Sequence, residues 1–345
     1  MRPRKIGAVV ALAGAVAIVA GYGASASNAR STARTAAQAK PFIVLVTDVN
    51  QLNDHGFNAL AYQGLLRARA KLGINGQVYQ SPSAAQYIPN LATAARKGAD
   101  LVISVGFDQA VAVAKVAKQF PKTHFAIIDV DQTTLAGKPK NVEGLIFKEQ
   151  EVGYLAGYLA GLVEKAKGAH ATIGSVGGQK QPPVDRYIAG YQAGAKKADP
   201  GVKLLNTYSQ DWVDQAKCKQ AALDQISAGA TIVFQVAGGC GLGALDAAKE
   251  KGVWGIGVDA DQSYLGAQVL TSAMKRVDTS VYSTIQQVLA GKFAGGTNAV
   301  FNLANNGVGL GKISPKVPKA DVKKVQQIAK DISSGKIANI PTSVG

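Results

Sequence analysis

The sequence is poor in the residues from which most catalytic and metal centres are built. It has two cysteines and three histidines in 345 residues, the histidines scattered at positions 55, 124 and 170, which excludes a multi-histidine or cysteine-rich metal site. No G-x-S-x-G nucleophile elbow, G-x-x-x-x-G-K-S/T phosphate loop or H-E-x-x-H helix occurs, so the common hydrolase chemistries have no apparatus here. His55 stands beside Asp54 in a polar loop and reads as a rim residue, not as a base. Charged residues are also scarce, at 17 % against 47 % apolar, which excludes a disordered polyelectrolyte and implies a large buried core.

What charge there is has one dominant sign. Lys and Arg number 38 and Asp and Glu 22, for a formal charge of +16. Residues 1–40 hold six basic side chains and no acid, and residues 311–345 hold seven lysines against two aspartates, so the body between them carries only +5. The C-terminal lysines, from Lys312 to Lys336, have no aromatics among them. They read as a solvated face, at most resting peripherally on an anionic membrane surface, and no nucleic-acid partner is expected.

The N-terminus reads as an export signal. Arg2, Arg4 and Lys5 precede an apolar run from Ile6 to about Val19, and Ala24-Ser25-Ala26 supplies the small-x-small pattern of a cleavage site. A signal peptide over 1–26 and a linker over 27–40 are expected, with an uncleaved membrane anchor as the alternative. Val19-Ala20-Gly21 resembles the start of a lipoprotein box, but Tyr22 stands where lipid attachment requires a cysteine. The expected location is extracellular, periplasmic or envelope-associated, without a lipobox cysteine. Export favours oxidation of Cys218 with Cys240, the alternative being two buried free thiols.

From residue 41 onward, β-branched runs such as Phe42-Ile43-Val44-Leu45-Val46 and Phe125-Ala126-Ile127-Ile128 alternate with amphipathic stretches. Continuous apolar strands separated by helices predict parallel sheets covered on both faces. A break at 141–149 divides two such series, so the expected fold is α/β with two doubly wound parallel-sheet lobes joined by a multi-strand hinge. Residues 41–147 plus 262–296 are assigned to the first lobe and 148–261 plus 297–345 to the second. Small and polar residues at the strands' carboxyl ends, Asp48, Asp129, Gly238, Gly239 and Asp259 among them, mark the default ligand site. One motif is enzyme-like: Gly239-Cys240-Gly241-Leu242-Gly243-Ala244, with Asp259 about 20 residues on, fits a dinucleotide turn. An exported NAD-dependent oxidoreductase is therefore carried as a minor alternative, while no cofactor is expected.

Several ordered blocks then resemble one family. They are Thr47-Asp48 through Gly56-Phe57-Asn58; Glu151 through Gly157; Val233-Phe234-Gln235 through Gly243; Gly257-Val258-Asp259-Ala260-Asp261-Gln262; and Thr271 through Asp278. Together they are similar to the basic membrane protein family of substrate-binding proteins, whose best-understood type is the purine nucleoside receptor of ABC importers. The resemblance implies a type I periplasmic-binding-protein fold, no enzymatic activity, and a monomer that closes on a purine nucleoside and delivers it to permease subunits. It also implies site roles. Phe57 and Phe234 would sandwich the base, Asp48 and Asp129 would face its polar edge, Asp259 and Lys275 would hold the sugar, and Asn58 with Gly238 and Gly239 would complete the pocket. A receptor of the same fold for a flavin or a signalling molecule is the alternative.

Overall fold

The computed structural model describes residues 40–166 and 171–344, so the expected signal peptide and most of the linker lie outside the described residues. The first series of elements is β1 (Phe42–Val46), α1 (Phe57–Leu72), β2 (Asn75–Tyr79), α2 (Tyr87–Arg96), β3 (Leu101–Ser104), α3 (Ala110–Gln119), β4 (His124–Ile128), β5 (Val142–Phe147) and α4 (Glu149–Lys165). The second is β6 (Thr172–Gly177), α5 (Pro182–Ala198), β7 (Lys203–Tyr208), α6 (Gln215–Ser227), β8 (Ala230–Val236), α7 (Gly241–Lys251), β9 (Trp254–Asp259), β10 (Val269–Lys275) and α8 (Val277–Leu289). β11 (Asn298–Phe301), β12 (Val308–Leu310) and α9 (Lys319–Ser333) follow.

Two six-stranded sheets result, ordered β11-β5-β4-β3-β1-β2 and β12-β10-β9-β8-β6-β7, so the same topology occurs twice. Among the described residues only the β10–β12 pair is antiparallel. Strand β1 shows why the apolar runs are continuous: Ile43 and Leu45 enter one core layer while Val44 and Val46 enter the layer on the opposite face. A parallel sheet buried on both sides needs apolar residues at every position.

Each lobe borrows a helix from the other's strand. After β5 the chain passes to the second lobe, where α4 packs against α5 along a seam of glycines. A Cβ on Gly157 would strike the Tyr191 carbonyl, and one on Gly194 the Tyr154 carbonyl, so the two backbones touch only because side chains are missing. After β10 the chain returns, and α8 lies on α1 with Gly64 against the Asp278 carbonyl. Strands β11 and β12 then rejoin the first and second sheets in turn, giving three crossings, the multi-strand hinge expected of this class.

Three expectations are corrected. Strand β10, assigned with 262–296 to the first lobe, pairs with β9 and completes the second sheet; β11, assigned to the second lobe, pairs with β5 in the first. The chain crosses after Lys275 and again after Phe301, and neither crossing carries a compositional marker. The expected break at 141–149 does fall where the chain leaves the first sheet, but it contains an unanticipated strand, β5, running into α4; Glu143 and Gly144 interrupt its apolar run, yet both are buried. Strand β2 was not anticipated, because Asn75-Gly76-Gln77-Val78-Tyr79 is a polar edge strand without clean alternation.

Candidate ligand-binding cleft

The carboxyl ends of the two sheets face each other across a cavity with about 550 Å³ of space between its atoms, open solvent at its mouth included. Its walls come from loops at equivalent places in the two lobes. Gly106 after β3 matches Gly238 after β8, and Asp129 after β4 matches Asp259 at the end of β9; all four have positive φ, at 108°, 56°, 72° and 63°. For the two aspartates this is a strained conformation of the kind that surrounding structure must impose. It turns their carboxylates into the cleft, which both line.

From the first lobe, Asp48, Phe57 and Asp129 reach the cavity, joined by Asn50, Phe107 and Asp108. Burial pushes Asp48 up to about 7, against the hydrogen bonds it accepts from Asn58 and Asn50. From the second lobe come Gly238, Asp259 and Lys275, with Trp212, Tyr187 and Gln181. Burial likewise raises Asp259 to about 7, while the Tyr187 hydroxyl donates to its Oδ1 at 3.3 Å.

Lys275 is the cleft's one buried cation among the described residues that line it, 2 % exposed at the end of β10. Its Nζ lies 2.6 Å from Asp129 Oδ1 across the lobe boundary and 2.9 Å from Glu149 Oε1 at the start of α4. Arg186 Nε holds the other Glu149 oxygen at 2.6 Å. Burial opposes the Lys275 charge, but Asp129, Glu149 and Asp259 outweigh it and raise its pKa. Burial also keeps Asp129 above the usual carboxylate range despite its ion pair. Lys275 lies 5.1 Å from the Phe57 ring centroid, so the ammonium and the ring face share one corner.

Other bonds cross between the lobes at the rim. Gln181 Nε2 donates to Asp108 Oδ1 at 2.6 Å, Gly239 N to Asn50 Oδ1 at 3.4 Å, and Tyr264 meets His55 Nδ1 at 2.8 Å. His55 is thus a rim residue, as expected. With these contacts made, the lobes are in a closed arrangement.

The structure brings Asp48, Phe57, Asp129, Gly238, Asp259 and Lys275 to one cavity and places three expected residues elsewhere. Asn58 is fully buried behind Asp48. Gly239 touches Asn50 instead of forming wall. Phe234, expected at the mouth of the second lobe, is fully buried within β8, its ring 5.0 Å from that of Tyr191 and 6.1 Å from that of Tyr187. Its place in the sheet is that of Ile103 in the first lobe, a core position. The rings that line the cleft from the second lobe belong instead to Tyr187 on α5 and to Trp212 in the loop after β7. Trp212 packs so closely on Gly178 that a Cβ there would overlap its six-membered ring.

The expected disulfide is present: Cys218 in the first turn of α6 joins Cys240 at the start of α7. Cys240 N also donates to the Trp212 carbonyl at 2.9 Å, so the bridge fastens the Trp212 and Gly238 loops to each other. The dinucleotide-like turn has a packing explanation, since a Cβ on Gly243 would strike the Gln215 carbonyl.

Two like lobes hinged by three crossovers, closed over a polar cleft with rings on both sides, define a solute-binding protein. Residues 42–342 match the family described as ABC transporter substrate-binding protein PnrA-like, and the chain belongs to that Bmp family. It is 34 % identical to the ABC transporter nucleoside-binding protein BmpA of Lactococcus lactis over 98 % of this chain and 99 % of that one. It is 32 % identical to a CD4+ T-cell-stimulating antigen of Listeria innocua, covering 98 % of each chain. Among solved structures it resembles an ABC transporter solute-binding protein from Aeropyrum pernix, with a TM-score of 0.78 and 27 % identity over 88 % of this chain and 94 % of that one. The chain is thus the substrate-binding component of an ABC transporter, an extracytoplasmic class that pairs a small-molecule ligand with permease subunits and performs no catalysis. No helix among the described residues is long and apolar enough to cross a membrane.

Proposed function

We propose that the cleft binds a purine nucleoside and that closure over it presents the ligand to the permease. The observation that carries this reading is the pairing of Phe57 and Trp212 from opposite lobes with four carboxylates and one lysine in a single cavity. Aromatic faces suit a planar base, and carboxylates suit the hydroxyls and ring N–H groups of a nucleoside. The name of the Lactococcus relative agrees with this reading. Each ring stack contributes roughly 1–3 kcal/mol and each hydrogen bond to a charged group roughly 1.5–3 kcal/mol. After association costs of at least about 4 kcal/mol, the upper part of that range corresponds to micromolar binding.

On this reading Phe57 and Trp212 grip the base, Asp48 meets its polar edge, and Asp259 with Lys275 holds the sugar. Residues 1–26 direct export, and the chain works as a monomer in the cell envelope or outside it. Thermal melts with inosine, guanosine, adenosine and NAD test the proposal. Nucleosides should raise the melting temperature and NAD should not; a panel in which no nucleoside does so would sink it.

A further inference from the structure

A groove between β12, the turn that follows it and α9 shares no lining residue with the ligand cleft. It holds about 1530 Å³ of space between its atoms, open solvent included. The groove exists because β12 is only three residues long and forms the edge of its sheet, while α9 packs on α4. Its walls are apolar, with Leu303, Val308, Leu310 and Ile313 on the strand side and Val322 and Val325 on α9. Leu310, Ile313 and Val322 are only partly buried.

No acidic side chain lines this groove, whereas Lys319 and Lys330 do. Helix α9 sorts its charges in the same sense. Its acids, Asp321 and Asp331, are held by Lys324 at 2.8 Å and by Lys336 at 3.3 Å. At 3.6 residues per turn, Lys324 and Asp331 fall on the side of the helix opposite the groove, whereas Lys319, Lys323 and Lys330 fall in one row along its lip. All three are exposed and no described acid pairs with them. The row spans about 16 Å of helix.

We infer that the groove is a site for an anionic phospholipid of a membrane leaflet. One acyl chain lies along the apolar walls, and the row of lysines meets its headgroup phosphate and those of its neighbours. Charge complementarity selects this occupant. A neutral lipid would leave the lysines unmatched, and an anion without an acyl chain would leave the apolar walls in water. Apolar contact beside the lysines also lowers the local dielectric and strengthens their attraction for phosphate. The site is independent of what the cleft binds, and it holds an exported receptor at the membrane that carries its permease.

The test uses phosphatidylglycerol with a photoreactive diazirine in one acyl chain, presented in vesicles to the full chain, with adducts located by peptide mass spectrometry. Locating them separates this site from residues 1–40, whose apolar run and basic side chains also attract such vesicles. Adducts should fall within residues 303–333. Lys319→Gln combined with Lys330→Gln should lower their yield at least about tenfold, since each lysine near an anionic surface is worth roughly fivefold. Removing two exposed charges from α3 with Lys115→Gln and Lys118→Gln should not lower it. Leu310→Gln, which puts an amide in the apolar wall, should lower the yield as well. The lysine variant alters only exposed side chains, so it stands even if Leu310→Gln impairs folding. Adducts that avoid 303–333, or equal yields there from the phosphatidylcholine analogue, would overturn the proposal. So would a dimer in vesicle-free sedimentation that Leu310→Gln disperses, because the occupant would then be a second copy of the chain.

Discussion

The outer layers of the two lobes share one topology and fill it differently. Beneath α2 and α3, the first lobe packs Leu91, Val113, Phe125 and Ile127 into a cluster of large side chains. Beneath α6 and α7, the second lobe has mostly alanines, such as Ala221, Ala222, Ala244 and Ala247, gathered around the Cys218–Cys240 bridge. The strand pairing locates the difference. Phe125 of β4 stands beside Val102 of β3, and the equivalent pair in the second lobe is Gly255 beside Val233. Ile127 likewise has Gly257 as its counterpart, pairing with Ser104 as Gly257 follows Ile256 beside Phe234. With so little apolar volume to bury, the second lobe gains less from the hydrophobic effect, and a covalent closure substitutes for it.

The contrast extends to the cleft. The first lobe sets the cleft carboxylate of Asp48 through the Asp54–Asn58–Asp48 hydrogen bonds. The second sets its ring loop through the disulfide and the Cys240 N–Trp212 O bond. One lobe is fixed by packing and polar bonds, the other by a cross-link.

Substitutions that remove each lobe's own support sharpen this comparison. Phe125→Ala empties a fully buried site in the first lobe and should cost about 3–5 kcal/mol, read as a fall in denaturant midpoint. The paired change Cys218→Ala with Cys240→Ala opens a crosslink spanning 22 residues and should cost about 3 kcal/mol. It should also loosen Trp212, so acrylamide should quench its fluorescence more strongly in a Trp254→Phe background; unchanged quenching would mean the bridge does not support the cleft.

A third, smaller effect belongs to the first lobe alone. Glu143 on β5 is 1 % exposed, and burial raises its pKa from 4.5 to about 7. The folded state therefore holds a proton that the unfolded chain releases, so this site costs stability as pH rises from about 4.5 to 7 and the cost stays constant above that. Glu143→Gln should leave stability unchanged near pH 4 and raise it by about 2 kcal/mol at pH 8. Melts at the two pH values that show the same difference would contradict the assignment.

Much of this was legible from the chain. Unbroken apolar strands such as Phe42–Val46 announce a parallel sheet, and the polar residues that end them, Asp48, Asp129 and Asp259, reach the cleft because such strands point their carboxyl ends at it. The disulfide was legible because export favours oxidation of the two cysteines over a pair of buried free thiols, and the structure shows the bridge. Phe234 was misplaced because a ring two residues before a strand's end reads alike whether it faces core or cleft. Trp212 was missed because a single aromatic in residues 209–214 carries no periodicity; its position in the loop that follows a strand's carboxyl end was the available signal. Glu149 pairs with Lys275 and with Arg186, and such a contact between α4, α5 and β10 leaves no local trace in the sequence. The exchange of β10 and β11 between lobes is set by strand pairing, which hydrophobic pattern does not encode.

The central claim is that rings from both lobes close on one purine nucleoside. Calorimetric titration of inosine into the native protein and into Trp212→Ala tests it most directly. Micromolar or tighter binding to the native protein, weakened at least about tenfold in the variant, is the predicted result. Binding of equal strength to both, or no binding to the native protein, would contradict the account.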